Sequence, residues 1–195
     1  QLSESAIIVG IVAAAQYIPL LILTPFFGVF ADQFKPKKNA IVMHFILMFV
    51  AIILSILTFM DSMDIIYLIF LSLLYGIANS AYSPVRLALI PALVSTKQLS
   101  SAVAISSAGF NLSRFLGPGI AGYIVAVYGL GYAYLVNAIT YIPVIIILAL
   151  IKVPDLRSQQ GTGESFFSRL KEGLVYTLNH DLIKNVIIIA GISSF

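Results

Sequence analysis

Long, unbroken apolar stretches are the feature that most limits the folds open to this chain. A helix needs about 20 apolar residues to cross a hydrocarbon core about 30 Å thick. Five stretches meet that length: Ala6–Ala31, Asn39–Met60, Met63–Ser83, Ser101–Ala126 and Tyr132–Ile151. Backbone groups in lipid must be paired within the segment, and these stretches lack the alternation of barrel strands. The sequence therefore predicts an all-α, polytopic membrane helix bundle.

Composition supports lipid as the solvent of this chain. Hydrophobic residues make up 60% of it and charged residues only 10%, whereas soluble domains are about half apolar and a quarter charged. The chain has no cysteine, which excludes disulfides, thiolate metal sites and cysteine nucleophiles. No His, Asp and Glu cluster shows metal-ligand spacing, so we expect no enzyme, no cofactor and no metal ion. We also expect no nucleic-acid partner.

Basic residues divide the connections between the stretches into two kinds. The segments Met60–Met63 and Val127–Gly131 hold no Lys or Arg. The other connections and their edges hold ten bases: Lys35, Lys37, Lys38, Arg86, Lys97, Lys152, Arg157, Arg169, Lys171 and Lys184. Cytoplasmic loops carry the excess of bases, so the lysine-rich side is predicted to be cytoplasmic in a plasma (inner) membrane protein.

The same patterns suggest a division of the chain into three parts. Residues 1–152 form a transmembrane bundle, and residues 153–182 form a cytoplasmic linker with an amphipathic helix. Residues 183–195 begin a second bundle, because a sixth apolar stretch starts at Ile183. The first residue is Gln and the first stretch enters from outside, so we expect a piece of a longer protein with at least one helix upstream.

A short polar junction follows the first apolar stretch. Its Gly28–Asp32 segment, GVFAD, leads into bases that include Lys37 and Lys38. It resembles the signature between the second and third helices of the major facilitator superfamily. Gln33 stands where that signature has Arg, and Lys35 stands where it has a second Gly. The resemblance implies that Gly28, Asp32 and the lysines stabilise one state of a cytoplasmic gate.

A second motif, Asn111–Gly122 (NLSRFLGPGIAG), lies three helices further on. It resembles the fifth-helix motif of antiporters in that superfamily, with Gly117 and Pro118 matching its Gly-Pro pair. Small residues at four-residue spacing, including Gly122, allow helix backbones to approach closely. Packing of this kind also occurs in unrelated membrane bundles, so the two motifs together carry the resemblance.

The resemblance extends to the efflux branch that includes macrolide and enterobactin exporters, through Pro84–Val94 and Leu135–Pro143. It implies helices two to six of a two-half transporter with its substrate between the halves. The implied activity is export of an amphipathic small molecule by proton antiport through alternating access, by a monomer in the lipid bilayer. One position departs from the pattern of drug/proton antiporters: Ser72 precedes Gly76 by four residues, where an Arg is common.

Several polar residues within the apolar stretches are candidates for substrate or coupling roles. Arg114 lies about 20 Å into its helix and must face the bundle interior with a partner. All eight acidic residues lie at helix ends or in loops, so either a structural pairing or a substrate role remains open. The other candidates are amides that could line a polar cavity or bond between helices: Asn111, Gln16, Asn79 and Asn137.

Two other functions are compatible with the sequence. A lipid or lysophospholipid flippase of the same fold also resembles this chain, in its Ala31–Phe34 and Ala81–Pro84 segments. A non-transporting membrane scaffold is the alternative from another class, and it would have no need for Arg114.

Overall fold

The computed structural model describes residues 6–31 and 36–153, together with residues 175, 176, 179, 180, 185 and 189. In the two long ranges the elements are α1 (Ala6–Ala31), α2 (Pro36–Phe59), α3 (Ile65–Leu93), a short 3-10 helix (Thr96–Gln98), α4 (Leu99–Tyr128) and α5 (Leu130–Leu150). These ranges contain no strand. The predicted all-α class is confirmed.

Four of the helices are long and apolar enough to cross a membrane: Ala6–Gly28, Pro36–Phe59, Ile65–Leu93 and Leu130–Leu150. The remaining long helix, α4, has 30 residues and is about 45 Å long at 1.5 Å per residue. Its serines, Asn111 and Arg114 lower its hydropathy. Its crossing of the membrane stays a prediction.

The end of α3 differs from the sequence prediction. The predicted stretch stopped at Ser83, with a loop from Pro84 to Ser100, but the helix continues through Pro84 and Pro91 to Leu93. Proline removes one backbone donor, and helices in membrane bundles tolerate it where neighbouring groups satisfy the freed carbonyl. Arg86 is therefore a half-buried helix residue and not a loop residue.

The turns on either side of α3 and between α4 and α5 are short, and aspartate and glycine residues shape two of them. Asp61 adopts a left-handed conformation (φ 50°) after α2, which Asp tolerates better than most residues. The Asp64 carboxylate accepts the Ile65 N–H at 2.6 Å at the start of α3. A single residue, Gly129 at φ 94°, joins α4 to α5. A side chain there would strain the backbone.

Helix contacts give the order α1, α3, α2, α5, α4 across the bundle. The first helix packs on α3, α2 packs on both α3 and α5, and α4 packs on α5 with a smaller contact to α3. The backbones of α1 and α3 meet at Gly76, where a Cβ atom would overlap the carbonyl oxygen of Gln16. The close contact between these two helices therefore requires a glycine.

Aromatic contacts surround a buried histidine in the middle of the bundle. His44 is buried, and its Nδ1 donates to the Ala40 carbonyl at 2.8 Å. The imidazole meets Tyr82 edge-on at 4.5 Å and Tyr141 at 5.9 Å between ring centroids. These contacts give His44 a role in helix packing.

Residues 158–195 form a separate unit from residues 1–157. Within it, the His180 N–H donates to the Tyr176 carbonyl at 3.1 Å, and the two rings lie 5.5 Å apart. Most of the predicted linker (153–182) and second-bundle start (183–195) lies outside the described residues. That division of the chain stays a prediction.

Candidate functional site

A polar cavity of about 250 Å³ lies among α1, α2, α3 and α5. Its apolar walls come mainly from α2, with one residue of α3: Leu47, Val50, Ala51, Leu54 and Leu71. Its polar groups are two amides and three hydroxyls: Gln16, Asn137, Ser72, Tyr75 and Tyr134. Three largely apolar helices, α1, α3 and α5, thus contribute neutral hydrogen-bonding groups to one space.

Helix periodicity and one glycine position these polar groups. Ser72 and Tyr75 share a face of α3, as do Tyr134 and Asn137 on α5, since residues three or four apart are neighbours on a helix. Gly76 lies one turn after Ser72 and holds the backbone of α1 against α3 at Gln16. The small side chain of Ser72 thus lies one turn from this close backbone contact between the two helices.

Two of these five polar residues, Gln16 and Asn137, were candidates from the sequence. The residues that line the cavity do not include the other two candidate amides, Asn79 and Asn111. Asn111 donates to the Ser107 carbonyl of its own helix at 2.9 Å. Ser72, Tyr75 and Tyr134 were not predicted. The sequence does show Ser72 three residues before Tyr75, and Tyr134 three residues before Asn137.

Hydrogen bonding and aromatic stacking are the interactions that the polar cavity can offer. None of the described residues that line it is charged. Its volume is slightly below the 300–1,000 Å³ or so that is usual for small-molecule sites. The cavity therefore has the character of one wall of a site for a neutral, partly apolar molecule.

An apolar cavity of about 260 Å³ lies next to the polar one and shares Tyr134 with it. Its other lining residues come from α1, from the turn before α3, and from the first turns of α3 and α5: Ile8, Val9, Val12, Met63, Leu68 and Leu130. Tyr134 thus contributes to both cavities. The bundle can receive a molecule with separate polar and apolar parts there.

Two arginines meet at one aromatic ring between α3 and α4. The Cζ of Arg86 lies 4.8 Å from the centroid of the Phe110 ring, and that of Arg114 lies 5.8 Å from it. Arg86 also donates to the Ser106 hydroxyl at 3.3 Å. Arg114 was predicted to have a partner, and the partner that the structure shows is the face of an aromatic ring.

The polar junction places one lysine against the last helix of the bundle. Lys37 Nζ donates to the carbonyls of Ala149 at 2.7 Å and Ile151 at 2.8 Å, whereas Lys38 is exposed. The last carbonyls of a helix lack partners within it and carry partial negative charge, so a lysine is well suited to that end. Asp32 lies outside the described residues.

The glycines of the two motifs have no close neighbours in the described part of the chain. A Cβ atom at Gly28, Gly117 or Gly122 would meet no other group within 4 Å. Gly117 and Pro118 lie on α4, which has no buried residue. The close helix approach predicted at the Gly-Pro motif is not made among the described residues and stays a prediction.

Sequence comparison adds a family to this geometry. The chain matches the transmembrane secretion effector family, a branch of the major facilitator superfamily, over residues 1–194. The chain belongs to this family. The resemblance found in the sequence is confirmed, and the helical bundle and its apolar spans are those of a membrane transporter family and not of an enzyme.

Curated relatives of this chain include three transporters. It is 31% identical to the staphyloferrin A transporter of Staphylococcus aureus over 139 residues, covering 71% of this chain and 35% of the relative. It is 21% identical to macrolide efflux protein A of Streptococcus pyogenes over 171 residues, covering 87% and 42%. The Enterococcus faecalis macrolide efflux protein A is 21% identical over 159 residues, covering 81% and 49%.

The chain spans between about a third and a half of the length of each of these relatives. No solved structure matches the sequence.

Proposed function

We propose that this chain supplies five helices of the first half of a secondary active transporter that exports an amphipathic small molecule. The polar cavity between α1, α2, α3 and α5 carries the proposal, because a largely apolar space with a few convergent polar groups is typical of small-molecule sites. Membership of a transporter family and relatives named for staphyloferrin A and macrolides support it.

Alternating access is the transport mechanism that we propose. In transporters of two six-helix halves, the substrate lies between the halves, and rocking of one half against the other exposes the site to each side in turn. Residues 1–152 would form one wall of that site and residues 183–195 would begin the other half. Gly28, Asp32, Lys37 and Lys38 would then belong to the cytoplasmic gate.

Proton antiport is the coupling that we propose. In the described part of the chain, the carboxylates are Asp61 and Asp64, both at the turn between α2 and α3. Neither lies near the middle of a helix, where a coupling carboxylate would exchange protons with the transport path. The proton carrier is therefore expected outside the described residues.

Orientation follows from the bases at the helix ends. The 3-10 helix with Lys97, together with Lys37, Lys38 and Lys152, would face the cytoplasm of a plasma membrane, and the Met60–Asp64 turn would face outward. The transporter is proposed to act as a monomer.

The test is transport by the full-length protein in proteoliposomes under an imposed proton gradient. We expect uptake of an amphipathic dye in the wild type and a loss of about tenfold or more in Asn137→Leu, which removes a hydrogen-bonding group from the cavity. The control is Thr58→Val, because Thr58 is a polar residue within a span that bonds only the Leu54 carbonyl of its own helix, at 2.7 Å. Absence of gradient-dependent dye uptake in the wild type would contradict the proposal.

A lysophospholipid flippase is the second candidate, and the apolar cavity favours it. That cavity adjoins the polar one at Tyr134 and has the lining that an acyl chain requires. In the same proteoliposomes, movement of labelled lysophospholipid without dye movement would support the flippase. Movement of neither would contradict both functions.

A further inference from the structure

Arg86 of α3 and Arg114 of α4 both approach the ring of one phenylalanine. The centroid of the Phe110 ring lies 4.8 Å from the Cζ of Arg86 and 5.8 Å from that of Arg114. Ser106, Phe110 and Arg114 follow at four-residue intervals on α4 and so form one stripe. Arg86 reaches that stripe from α3 and bonds its first member, Ser106. We call these four residues the arginine cluster.

No carboxylate of the described residues neutralises the two positive charges of the arginine cluster. The acidic residues in that part of the chain are Asp61 and Asp64. Asp64 lies at the opposite end of α3, about 33 Å from Arg86 along the helix. Two positive charges within membrane-length helices are costly unless an anion or water faces them.

The arginine cluster is open to a ligand. Arg114 is exposed, Arg86 is half-buried, and 47% of Phe110 is exposed. A guanidinium binds carboxylate and phosphate groups through two parallel hydrogen bonds, whereas an aromatic ring offers an apolar contact. An anionic amphipath can therefore place its oxyanion on the arginines and its apolar part against Phe110.

We propose that Arg86 and Arg114 together bind the carboxylate or phosphate group of an anionic amphipath. The site is separate from the polar cavity, whose described lining residues are uncharged. The proposal goes beyond the proposed transport function, since it concerns a separate site for an anionic ligand, and it can be tested by binding alone. The oxyanion can belong to a solute or to a lipid headgroup.

Binding is measured on the purified full-length protein in phosphatidylcholine nanodiscs. The probe is dansyl-labelled undecanoate, and its methyl ester is the uncharged control probe. We expect the acid to bind more tightly than the ester, with an affinity that falls as salt is raised. Arg86→Gln and Arg114→Gln should each weaken acid binding at least about tenfold, equivalent to one charge-assisted hydrogen bond, and leave ester binding unchanged.

Matched variants separate the site from general charge and from folding. Lys97→Gln removes an exposed base outside the arginine cluster and should leave binding unchanged. Arg114→Lys keeps the charge but loses the two-bond geometry, so its affinity should lie between those of wild type and Arg114→Gln. If Arg86→Gln does not fold, Phe110→Ala retains both charges and should weaken the probe through its apolar part.

Competition identifies the source of the oxyanion. Displacement of the probe by soluble organic phosphates or carboxylates assigns the site to a solute, and displacement only by phosphatidylglycerol in the nanodisc assigns it to lipid. Equal binding of acid and ester, or unchanged acid affinity in both arginine variants, would overturn the proposal. Arginine-dependent binding without any transport would preserve this site and contradict the proposed function.

Discussion

Gly76 lies at a close backbone contact between α1 and α3. A Cβ atom there would overlap the carbonyl oxygen of Gln16 and lie 3.1 Å from that of Ala15. Both obstacles are backbone atoms, which cannot rotate away as a side chain can. Gln16 also lines the polar cavity. The cavity and the helix contact therefore both depend on the absence of a Cβ atom at position 76.

Substitution Gly76→Ala is therefore expected to destabilise the bundle by about 1–3 kcal/mol, the usual cost of overpacking. The measurement is the midpoint of thermal unfolding in detergent, followed by size-exclusion chromatography of the fraction that remains folded. Gly10→Ala is the control, because a Cβ at Gly10 meets nothing within 4 Å and alanine favours a helix over glycine. Equal midpoints for the two variants would contradict the close contact.

Individual residues were predictable from the sequence only where their chemistry was unusual. An amide within an apolar stretch stands out, and Gln16 and Asn137 were identified in that way. A tyrosine or a serine does not, because both also occur in ordinary helix packing, and Tyr75, Tyr134 and Ser72 were missed. Arg86 was misplaced because Pro84 was interpreted as the end of the helix.

At the scale of the helices, the α2–α5 pair is held at both ends. At one end, Lys37 bonds the Ala149 and Ile151 carbonyls. At the other, the Ser55 hydroxyl donates to the Gly131 carbonyl at 2.9 Å, and the rings of Phe59 and Tyr132 meet edge-on at 5.0 Å. Polar and aromatic contacts near both ends of α5 therefore fix the two helices to each other.

Replacement of Lys37 by alanine should lower stability by about 1 kcal/mol, since its hydrogen bonds are charge-assisted but partly exposed to solvent. The matched control is Lys38→Ala, which removes the neighbouring exposed base and should change stability little. Thermal unfolding in detergent measures both variants. A decrease of the same size in both would show that net charge, and not the α5 contact, is responsible.

Helix boundaries were predictable to different degrees. The bounds of α1 agree with the sequence prediction, and those of α2, α4 and α5 agree within three residues, because polar residues or a glycine mark those ends. The end of α3 was placed ten residues too early. The prolines at 84 and 91 lie inside it, and a proline in a membrane helix does not by itself end the helix.

At the scale of the whole molecule, helix neighbours could not be read from the sequence. A water-soluble helix reveals its buried side through a polar opposite face, but these helices are apolar on most sides because lipid replaces water. The contacts of α1 with α3 and of α2 with α5 emerge only from the structure. The bundle itself and its family were predictable, because span lengths and motif order carry them.

Transmembrane topology is open to a direct test because this chain has no cysteine of its own. Single cysteines at Ser62, Lys97 and Tyr128 sample the α2–α3 turn, the 3-10 helix and the end of α4. We expect a membrane-impermeant maleimide added to intact cells to label positions 62 and 128, and to label position 97 only after permeabilisation. Labelling of position 128 only after permeabilisation would show that α4 does not cross the membrane.

The contact of Lys37 with the end of α5 also affects how the bundle is made. A ribosome delivers residue 37 to the membrane 112 residues before Ala149 and 114 before Ile151. The α1–α3 and α2–α3 contacts can form as soon as α3 is inserted, but α2 keeps one side unmatched until the whole of α5 has emerged. The bundle is therefore completed only after α5 has been made, and a nascent chain that ends before Ile151 lacks one of the two carbonyls that Lys37 binds.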